Sequence, residues 1–311
     1  MNVLHAEHAL VVGGGTMAAG IAACLGAAGV TTVVQLRRPE AVEPTGAEID
    51  RRVGQLVKLG IVTGAPDVDV RVVAGRPDGR FTLAIESIAE DVAAKRAVLA
   101  KAEALLDDDG ILATNTSSLR LGDLDADLAR PERFVGWHWF NPAELVPLVE
   151  VVGGATTAEA TLARLVALSQ LIGKRPIAVR RDVPGFVANR LQYALLREAY
   201  ALVDSGVCDV DAVDTAVTGG LGARWAAIGP FASMDAAGLD VHEAVARQLF
   251  PVLSGATELP ELLRAARARG ETGVKGGRGL CGRYPPGAGR SLGDRRDAML
   301  AMLTRYAKDD G

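Results

Sequence analysis

Cysteine is scarce in this chain of 311 residues, which contains only Cys24, Cys208 and Cys281. The three lie far apart and show neither CxxC spacing nor a metal-ligand pattern, which argues against a disulfide framework and against a metal site. A sparse, odd set of cysteines is typical of free thiols in a reducing compartment. The opening "MNVLHAEHALVVGGG" lacks the basic segment and long apolar core of a signal peptide. We therefore expect a cytoplasmic protein.

Long apolar runs and excess charge are also missing. No stretch reaches the roughly 18 uninterrupted apolar residues of a membrane-spanning helix, so we expect no membrane partner. The net charge of −4 offers no broad attraction for nucleic acid. Aromatic residues make up only 4% of the chain, whereas hydrophobic residues make up 49% and are largely Ala, Val and Leu. This balance is typical of a globular protein in which helices pack on a parallel sheet.

The chain alternates strand-like and helix-like segments in its first half and changes character afterwards. Strand-like runs are "HALVV" (8–12), "TTVVQL" (31–36), "FTLAIES" (81–87), "GILATNTS" (110–117), "RFVGWHWF" (133–140) and "LVPLVEVVG" (145–153), and helix-like patterns cover 16–29 and 90–106. After "RRDVPGF" (180–186) only helical patterns are convincing. The alternation predicts an α/β fold with a Rossmann-type doubly wound parallel sheet over residues 1–184. An all-α C-terminal domain is expected over 185–311.

A glycine-rich turn follows the first predicted strand. In "VVGGGTMAAG", Gly13, Gly15 and Ala18 match the G-x-G-x-x-G/A form, and Thr16 and Met17 open the following helix. The first glycine permits the tight turn, the second lets the backbone approach a pyrophosphate, and the small third residue lets the helix pack on the strand. Free N–H groups at the helix N-terminus then bind phosphate. The order strand, turn, helix, strand favours a dinucleotide-binding turn over a merely structural one.

The second predicted strand ends without an acidic residue. In this motif an acid about 20 residues beyond the turn binds the adenine ribose 2′-OH. Here "TTVVQLRR" (31–38) places Leu36 at that point, followed by Arg37 and Arg38. An arginine can bind a 2′-phosphate there, and the missing acid removes repulsion against it. We favour NADP(H) over NAD(H); NAD(H) stays the alternative, because two arginines are also typical of a solvated loop.

One histidine stands out as a candidate acid and base. The chain has four histidines, of which only His138 ends a predicted strand. Glu150 follows twelve residues later, at the far side of a strand–turn–strand segment. A histidine oriented by a carboxylate is a suitable general acid and base near neutral pH. Such pairs are also common as structural contacts, so the pair alone leaves both interpretations open.

Short motifs occur in a fixed order along the chain. They are "GGGTMAAGIA" (13–22), "ESIAE" (86–90), "NTSS" (115–118), "GWHWFNP" (136–142), "LVEVV" (148–152), "DVPGFVANR" (182–190) and "GVKGGRG" (273–279). Together they resemble the 3-hydroxyacyl-CoA dehydrogenase family over nearly the whole chain. "LVPLVEVV" (145–152) and "GARWAAIGPF" (222–231) are most similar to the branch that includes L-gulonate 3-dehydrogenase and carnitine dehydrogenase.

This resemblance implies a reaction and a set of site residues. The reaction is hydride transfer between a nicotinamide cofactor and a small-molecule 3-hydroxyacyl or 3-ketoacyl substrate. By position, His138 would exchange the proton, Glu150 would hold the imidazole, and Ser117 and Asn189 would hydrogen-bond the substrate oxygen. The resemblance also implies a homodimer joined through the helical domain. Cofactor contacts are implied for Glu90, Lys95, Ser117, Asn141 and Lys275.

Three functional interpretations stay open. The first is a 3-hydroxyacyl-CoA dehydrogenase with altered cofactor choice. The segment 40–75 offers only Lys58, Arg51 and Arg52 as obvious cations for the phosphates of CoA. The second is therefore an NADPH-dependent ketoreductase on a non-CoA β-keto acid, as in polyketide tailoring. The third is a non-catalytic dinucleotide-binding protein, either crystallin-like or a sensor, although a sensor has no need of the His138–Glu150 proton exchange.

Overall fold

The chain folds into two compact units. The computed structural model describes residues 3–62 and 66–309. One unit is formed by Met1–Ala188 with Asp297–Gly311, and the other by Asn189–Arg296. The sequence analysis assigned the last residues of the chain to the second domain, whereas their contacts lie with the first unit. The outer limits expected for the domains, residues 1 and 311, lie outside the described residues.

An eight-stranded sheet forms the centre of the first unit, in the order β3-β2-β1-β4-β5-β6-β7-β8. The strands from β3 to β6 in this order are parallel. Strand β7 runs antiparallel to β6, and β8 is parallel to β7. The strands are β1 (His8–Val12), β2 (Thr31–Leu36), β3 (Val70–Ala74), β4 (Phe81–Glu86), β5 (Leu106–Thr114), β6 (Phe134–Trp139), β7 (Leu148–Val152) and β8 (Arg175–Val179).

Helices cover both faces of this sheet, and each face has its own apolar core. Buried side chains of α1, α2 and α5 belong to one core, and those of α3 and α4 belong to the other. Two-sided coverage explains why the strands contain near-continuous apolar runs, and it confirms the doubly wound fold class. These helices are α1 (Thr16–Ala27), α2 (Val42–Lys58), α3 (Val92–Glu103), α4 (Leu121–Leu124) and α5 (Glu159–Leu171).

The strand order places a switch point between β1 and β4. Strand β1 pairs with β2 on one side and with β4 on the other. The chain continues from β1 to β2 and β3 on one side, and from β4 to β5 and β6 on the other. Ligands of open α/β sheets bind at the carboxyl ends of the strands beside such a point. The loops after β1, β4, β5 and β6 all lie at this edge, because these strands are parallel.

The second unit is helical, apart from a two-stranded antiparallel ladder of β9 and β10. The last helix, α12, begins in this unit and ends in the first. No helix in the described parts of the chain is both long and apolar enough to cross a membrane. The elements are α6 (Ala188–Asp204), α7 (Val210–Ala216), a π-helix (Val217–Leu221), α8 (Gly222–Ala227), α9 (Pro230–Ala237), α10 (Leu239–Leu249), α11 (Glu261–Ala268), a 3-10 turn (Val274–Gly276), β9 (Arg278–Gly279), β10 (Gly282–Arg283) and α12 (Ala288–Asp309).

Candidate active site

The glycine-rich turn forms an open cradle at the N-terminus of α1. Gly13 adopts φ +145°, and a Cβ at this position would lie 2.2 Å from the carbonyl oxygen of Ser87. Gly15 is the N-cap of α1 without a side-chain capping bond, and a Cβ there would meet nothing within 4 Å. Exposed amides and open space fit a dinucleotide pyrophosphate. Ala18 is fully buried, as close packing of helix on strand requires.

The remaining residues of the turn lie where the motif predicts them. Thr16 and Met17 form the first turn of α1, with Thr16 exposed and Met17 half-buried. Their backbone amides belong to the group that a helix leaves without an internal partner, so they are available to a phosphate. Contact between these residues and a cofactor stays a prediction, supported by their position.

The end of β2 carries apolar and basic side chains. Leu36 is buried and packs against the glycine turn, where a Cβ on Gly14 would lie 2.8 Å from its Cδ2. Arg37 and Arg38 follow as exposed residues, and Arg38 Nε lies 3.8 Å from Glu40 Oε1. The amide of Gly75 donates to the Leu36 carbonyl at 2.9 Å. This bond brings the loop after β3 beside the end of β2.

A buried ion pair closes the end of β4. Lys95 is only 1% exposed, and its Nζ lies 2.7 and 2.9 Å from the two carboxylate oxygens of Glu86. Glu86 also accepts hydrogen bonds from the Thr114 hydroxyl at 2.7 Å and from the Ile88 amide at 2.6 Å. Lys95 Nζ lies 3.2 Å from Glu90 Oε2 as well. The ammonium group is thus enclosed by protein, and the cofactor contact that the resemblance implies for Lys95 stays a prediction.

Glu90 organises the start of the "NTSS" segment. One carboxylate oxygen, Oε1, accepts from the Thr116 hydroxyl at 2.6 Å, the Ser117 amide at 2.9 Å and the Ser118 amide at 3.1 Å. Burial raises the pKa of Glu90, but the Thr116 hydroxyl, the charge of Lys95 and the Ser117 amide outweigh it and lower the pKa to about 2. The ionised carboxylate therefore holds Ser117 at the carboxyl end of β5.

His138 and Glu150 face each other across the antiparallel pair of β6 and β7. They are register partners, so their side chains lie on the same face of the sheet. His138 Nδ1 lies 2.7 Å from Glu150 Oε2, and both side chains are almost completely buried, at 4% and 0% exposure. An ionised carboxylate only accepts hydrogen bonds, so Nδ1 carries the hydrogen. Nε2 has no hydrogen-bond partner among the described residues and is therefore the ring nitrogen available for proton exchange.

Glu150 is held in its ionised form. Its other oxygen accepts hydrogen bonds from the backbone amides of Val187 and Ala188, both at 2.9 Å. Burial raises the pKa of Glu150, but the hydrogen bond from His138 and those two amides outweigh burial, so the pKa lies below its usual value. A fixed negative charge therefore lies beside Nδ1 of His138.

Two aromatic rings hold the imidazole from the sides. The ring centroids of Phe140 and Phe186 lie 4.4 and 5.5 Å from that of His138. Phe186 is the one non-glycine residue with positive φ, at 49°, in the described ranges. Its left-handed backbone, of a kind that costs about 1–3 kcal/mol, brings the buried ring beside His138. Two apolar rings therefore lie against the imidazole.

The other predicted site residues lie in separate places. Asn141 is exposed and lies two residues after the end of β6, so it is at the same sheet edge as His138. Asn189 is the second residue of α6 and the first of the second unit. Lys275 belongs to the 3-10 turn Val274–Gly276 of that unit. The roles implied for these three residues stay predictions.

Two polar residues of the site received no role from the sequence. Asn115 Oδ1 accepts from the Trp139 amide at 2.9 Å, and its Nδ2 donates to Ser87 Oγ at 3.2 Å, which ties the ends of β4, β5 and β6 together. Glu86 is the second, as the buried partner of Lys95. A polar residue directly after an apolar strand was the available signal for both. Within residues 3–62 and 66–309, no group of three or more His, Cys, Asp or Glu side chains could hold a metal ion.

Comparison with known protein families matches nearly all of the chain. The model of the 3-hydroxyacyl-CoA dehydrogenase NAD-binding domain matches residues 8–183. The model of the C-terminal domain of the same family matches residues 185–282. Together they cover the glycine turn, the "NTSS" segment and the His138–Glu150 pair in the first domain, and the Lys275 turn in the second.

Individual relatives act on different compounds. The chain is 36% identical over 301 residues to 5-formyl-3-hydroxy-2-methylpyridine 4-carboxylate 5-dehydrogenase of Mesorhizobium japonicum, covering 95% of this chain and 96% of the relative. A crystal structure of an enzyme of that activity, described as an NAD+-dependent dismutase, superposes with a TM-score of 0.90 at 34% identity, over 97% of this chain and 98% of that one. An L-carnitine dehydrogenase of Streptomyces coelicolor is 39% identical over 187 residues, covering 59% of this chain and 58% of the relative.

Proposed function

The chain belongs to the 3-hydroxyacyl-CoA dehydrogenase family, and from that membership and its site we propose that it interconverts a β-hydroxy and a β-keto group of an acyl substrate. It is an oxidoreductase with a nicotinamide dinucleotide-binding domain. The observation that carries the proposal is the buried 2.7 Å contact between His138 Nδ1 and Glu150 Oε2. An imidazole with an available Nε2 and a fixed carboxylate behind it suits proton exchange with a substrate hydroxyl.

The proposed roles follow from the geometry of the pair. When the substrate is oxidised, His138 Nε2 takes the hydroxyl proton, and when it is reduced the same atom returns it. Glu150 keeps the imidazole in one tautomer and stabilises the charged form. Bound nicotinamide supplies a C4 that accepts or donates the hydride. We further propose that Ser117, whose backbone Glu90 holds, and Asn189 donate hydrogen bonds to the substrate oxygen and polarise the carbonyl.

The cations near α2 favour a substrate without CoA. Arg52 is buried and bonded to Glu48 and Glu144, and Arg51 donates to both oxygens of Glu48. Of the three cations singled out in segment 40–75, only the exposed Lys58 has no such carboxylate partner among the described residues. A CoA pyrophosphate and 3′-phosphate need several positive contacts. We therefore propose a free β-hydroxy or β-keto acid as the substrate class, and the names of the two relatives above refer to compounds without CoA.

The basic end of β2 supports NADP(H) as the preferred cofactor. Arg37 and Arg38 are exposed, and no acid stands at the end of the strand to bind a ribose 2′-OH. Arg76 directly follows Gly75, whose amide is bonded to Leu36, so a third exposed arginine lies on the neighbouring loop. Guanidinium groups match a 2′-phosphate in charge and geometry. NAD(H) is the alternative, since a structural relative is described as NAD+-dependent.

The test is a matrix of two cofactors and two substrates. Turnover is measured with NADPH and NADH, each with acetoacetyl-CoA and with a free β-keto ester. We expect the combination of NADPH and the free ester to be fastest. Faster turnover of acetoacetyl-CoA would contradict the non-CoA proposal, and a preference for NADH would contradict the cofactor assignment. Tight cofactor binding without turnover of either substrate would favour the sensor interpretation.

A substitution in the same assay isolates the arginines. Arg37→Asp removes one charge-assisted hydrogen bond to the 2′-phosphate and adds repulsion, so the KM for NADPH should rise about tenfold or more while that for NADH changes little. Arg80→Asp is the matched control, because it makes the same charge change at an exposed position. Arg80 precedes β4 and lies at the amino ends of the strands, whereas Arg37 lies at their carboxyl ends. If Arg37→Asp leaves the KM for NADPH unchanged, the arginines belong to a solvated loop.

We propose a homodimer joined through the second unit, and a cytoplasmic location. Most of the exposed large apolar side chains of the described residues belong to Asn189–Arg296, among them Phe231, Leu239 and Phe250. A concentration of exposed large apolar side chains in one unit is what an interface there would require. The location rests on three cysteines that form no disulfide in the structure, as a reducing compartment favours.

Sedimentation at micromolar concentration tests the assembly. We expect a mass of about twice that of one chain, because an interface of this apolar character is typical of permanent dimers. Phe231→Asp should shift the mass to that of the monomer, whereas Val57→Asp, on α2 of the first unit, should not. A monomeric mass for the unchanged protein contradicts the proposal.

A further inference from the structure

The loop between β6 and β7, residues 140–147, connects the strand of His138 to the strand of Glu150. Its second residue is the exposed Asn141, which the family resemblance places against the cofactor. The residues that follow, 142–145, are buried. Charged side chains from two other elements reach into this loop, and the proton exchange uses neither of them.

The first is Arg52 on α2, which is 6% exposed. Its Nη1 lies 2.6 Å from Glu144 Oε2, and its Nε lies 2.7 Å from Glu48 Oε1. Glu144 is 5% exposed and lies within the loop. Removing two charges from water is unfavourable, and a buried pair offsets that only when its geometry is very good. Similar folding stability is often reached with apolar residues, so a role in placing the loop is the better account of this pair.

The second is Lys174, the residue before β8, which is 7% exposed. Its Nζ donates to the carbonyl oxygens of Ala143 at 2.6 Å and of Val146 at 2.9 Å, and lies 5.0 Å from the centroid of the Trp139 ring. The ammonium group therefore holds two backbone positions of the loop together with the last residue of β6. Lys174 and Arg52 reach the loop from separate elements, and each bonds to a different part of it.

The same pair is pressed against α1. A Cβ on Gly20 would lie 2.6 Å from Glu144 Oε2 and 3.0 Å from Arg52 Nη1. Helix α1 is the helix whose N-terminus offers amides to the cofactor phosphates. The ion pair thus joins the phosphate-binding helix to the loop beside His138, and any change in its length moves one relative to the other.

We propose that Arg52, Glu144 and Lys174 are positioning residues, which fix the β6–β7 loop against α1 so that Asn141 and His138 meet the nicotinamide end of the cofactor at the correct distance. The inference rests on the proposed function. Arg52 then differs in role from its neighbour Arg51, which is exposed and donates to Glu48 and Gln55 of its own helix.

The decisive variant is the double substitution Arg52→Met with Glu144→Met. Arg52→Met leaves the buried Glu144 without its partner, and Glu144→Met leaves the buried Arg52 with Glu48 alone, so each single substitution should lower the melting temperature. An apolar pair often keeps or raises it. If the pair were only structural, the double variant would recover turnover together with stability. Under the proposal stability recovers, but kcat stays about 100-fold low, as expected when reacting groups are misplaced by about 1 Å. Arg51→Met on the same helix is the matched control and should keep wild-type kcat.

A measurement without turnover accompanies the assay. The Kd of NADPH or NADH, whichever the wild type binds more tightly, should change little in the double variant, because the phosphate cradle is intact. The fluorescence lifetime of the bound reduced nicotinamide should shorten, because that end of the cofactor is less well held. Wild-type kcat and lifetime in the double variant would overturn the inference, as would a loss of affinity as large as the loss of kcat.

Two further outcomes can be distinguished: an inactive wild-type protein and a double variant that does not fold. A wild-type protein that turns over no substrate contradicts the proposed function, while the lifetime measurement still decides the positioning role. If the double variant does not fold, Arg52→Lys replaces it, because a single ammonium cannot reproduce the fork that reaches both Glu48 and Glu144. We expect Arg52→Lys to keep the fold and to lower kcat severalfold, and an unchanged kcat and lifetime would overturn the inference.

Discussion

Replacing His138 with glutamine is expected to lower kcat about 1,000-fold, within the range that general acid–base catalysis contributes. The amide of glutamine can take part in hydrogen bonds but cannot exchange a proton near neutral pH. Glu150 keeps its bonds from the Val187 and Ala188 amides, so the surrounding strands should not move. The Kd of the reduced cofactor, measured by fluorescence, should be nearly unchanged, because the glycine turn lies on another strand.

The control for this substitution is His242→Gln. His242 lies on α10, in the second unit, and has no proposed role. Its replacement should leave both kcat and cofactor affinity at wild-type values. Wild-type turnover in His138→Gln would show that another group exchanges the proton. A parallel loss of cofactor affinity would instead show that His138 supports binding more than chemistry.

Glu150→Gln separates orientation from charge at the same pair. The amide oxygen can still accept from Nδ1, so the tautomer and the ring position are largely kept. The negative charge beside Nδ1 is lost, and the glutamine NH2 group takes the place of the oxygen that accepts from the Val187 and Ala188 amides, so those two hydrogen bonds are lost as well. A kcat between those of the wild type and His138→Gln is the outcome consistent with a carboxylate that orients and stabilises the base.

The sequence predicted much of the sheet because its strands are short apolar runs separated by turns. The runs 8–12 and 31–36 coincide with β1 and β2. Strand β5 begins earlier than predicted, at Leu106, since the sequence showed three aspartates where the structure continues the strand. Those aspartates are on the solvent-facing amino end, where pairing with β4 shifts register. Tertiary pairing overrides local propensity there.

Two strands were not predicted because their local pattern is weak. Strand β3, "VRVVA", lies at the sheet edge and is only half-buried. Strand β8, "RPIAV", begins with an arginine and a proline, which local rules assign to a loop. The sheet edge tolerates both, because one side of an edge strand needs no partner. Their existence follows from the neighbouring strands β2 and β7 rather than from their own residues.

The contacts of the candidate site likewise include local ones, which the sequence predicts, and distant ones, which it does not. His138 and Glu150 could be paired from the sequence, since a turn between two strands brings residues at this spacing into register. The partners of the buried cations Arg52 and Lys174 could not be predicted from the sequence. Arg52 and Glu144 are 92 residues apart, and Lys174 bonds to a loop 31 and 28 residues before it. Such contacts depend on how α2 and β8 pack, which no local pattern encodes.

The second large effect is expected at the glycine turn. Substitution of Gly15 should weaken cofactor binding, whereas substitution of Gly13 should lower stability. Gly15→Val should keep the melting temperature, because φ −85° and ψ 177° suit any residue and a Cβ would meet nothing within 4 Å. Its side chain would fill the space through which a pyrophosphate reaches the amides of α1. Losing one or two charge-assisted hydrogen bonds should weaken cofactor binding about 100-fold or more.

Gly13→Ala should instead damage the fold. The φ of +145° is strained for alanine, and the added Cβ would lie 2.2 Å from the Ser87 carbonyl oxygen, beside the buried Glu86. Backbone strain and overpacking together should lower the free energy of unfolding by about 3 kcal/mol or more. Calorimetry and cofactor titration on both variants check the contrast. Wild-type affinity in Gly15→Val would mean that the phosphates bind elsewhere, and wild-type stability in Gly13→Ala would mean that the turn is not as tight as described.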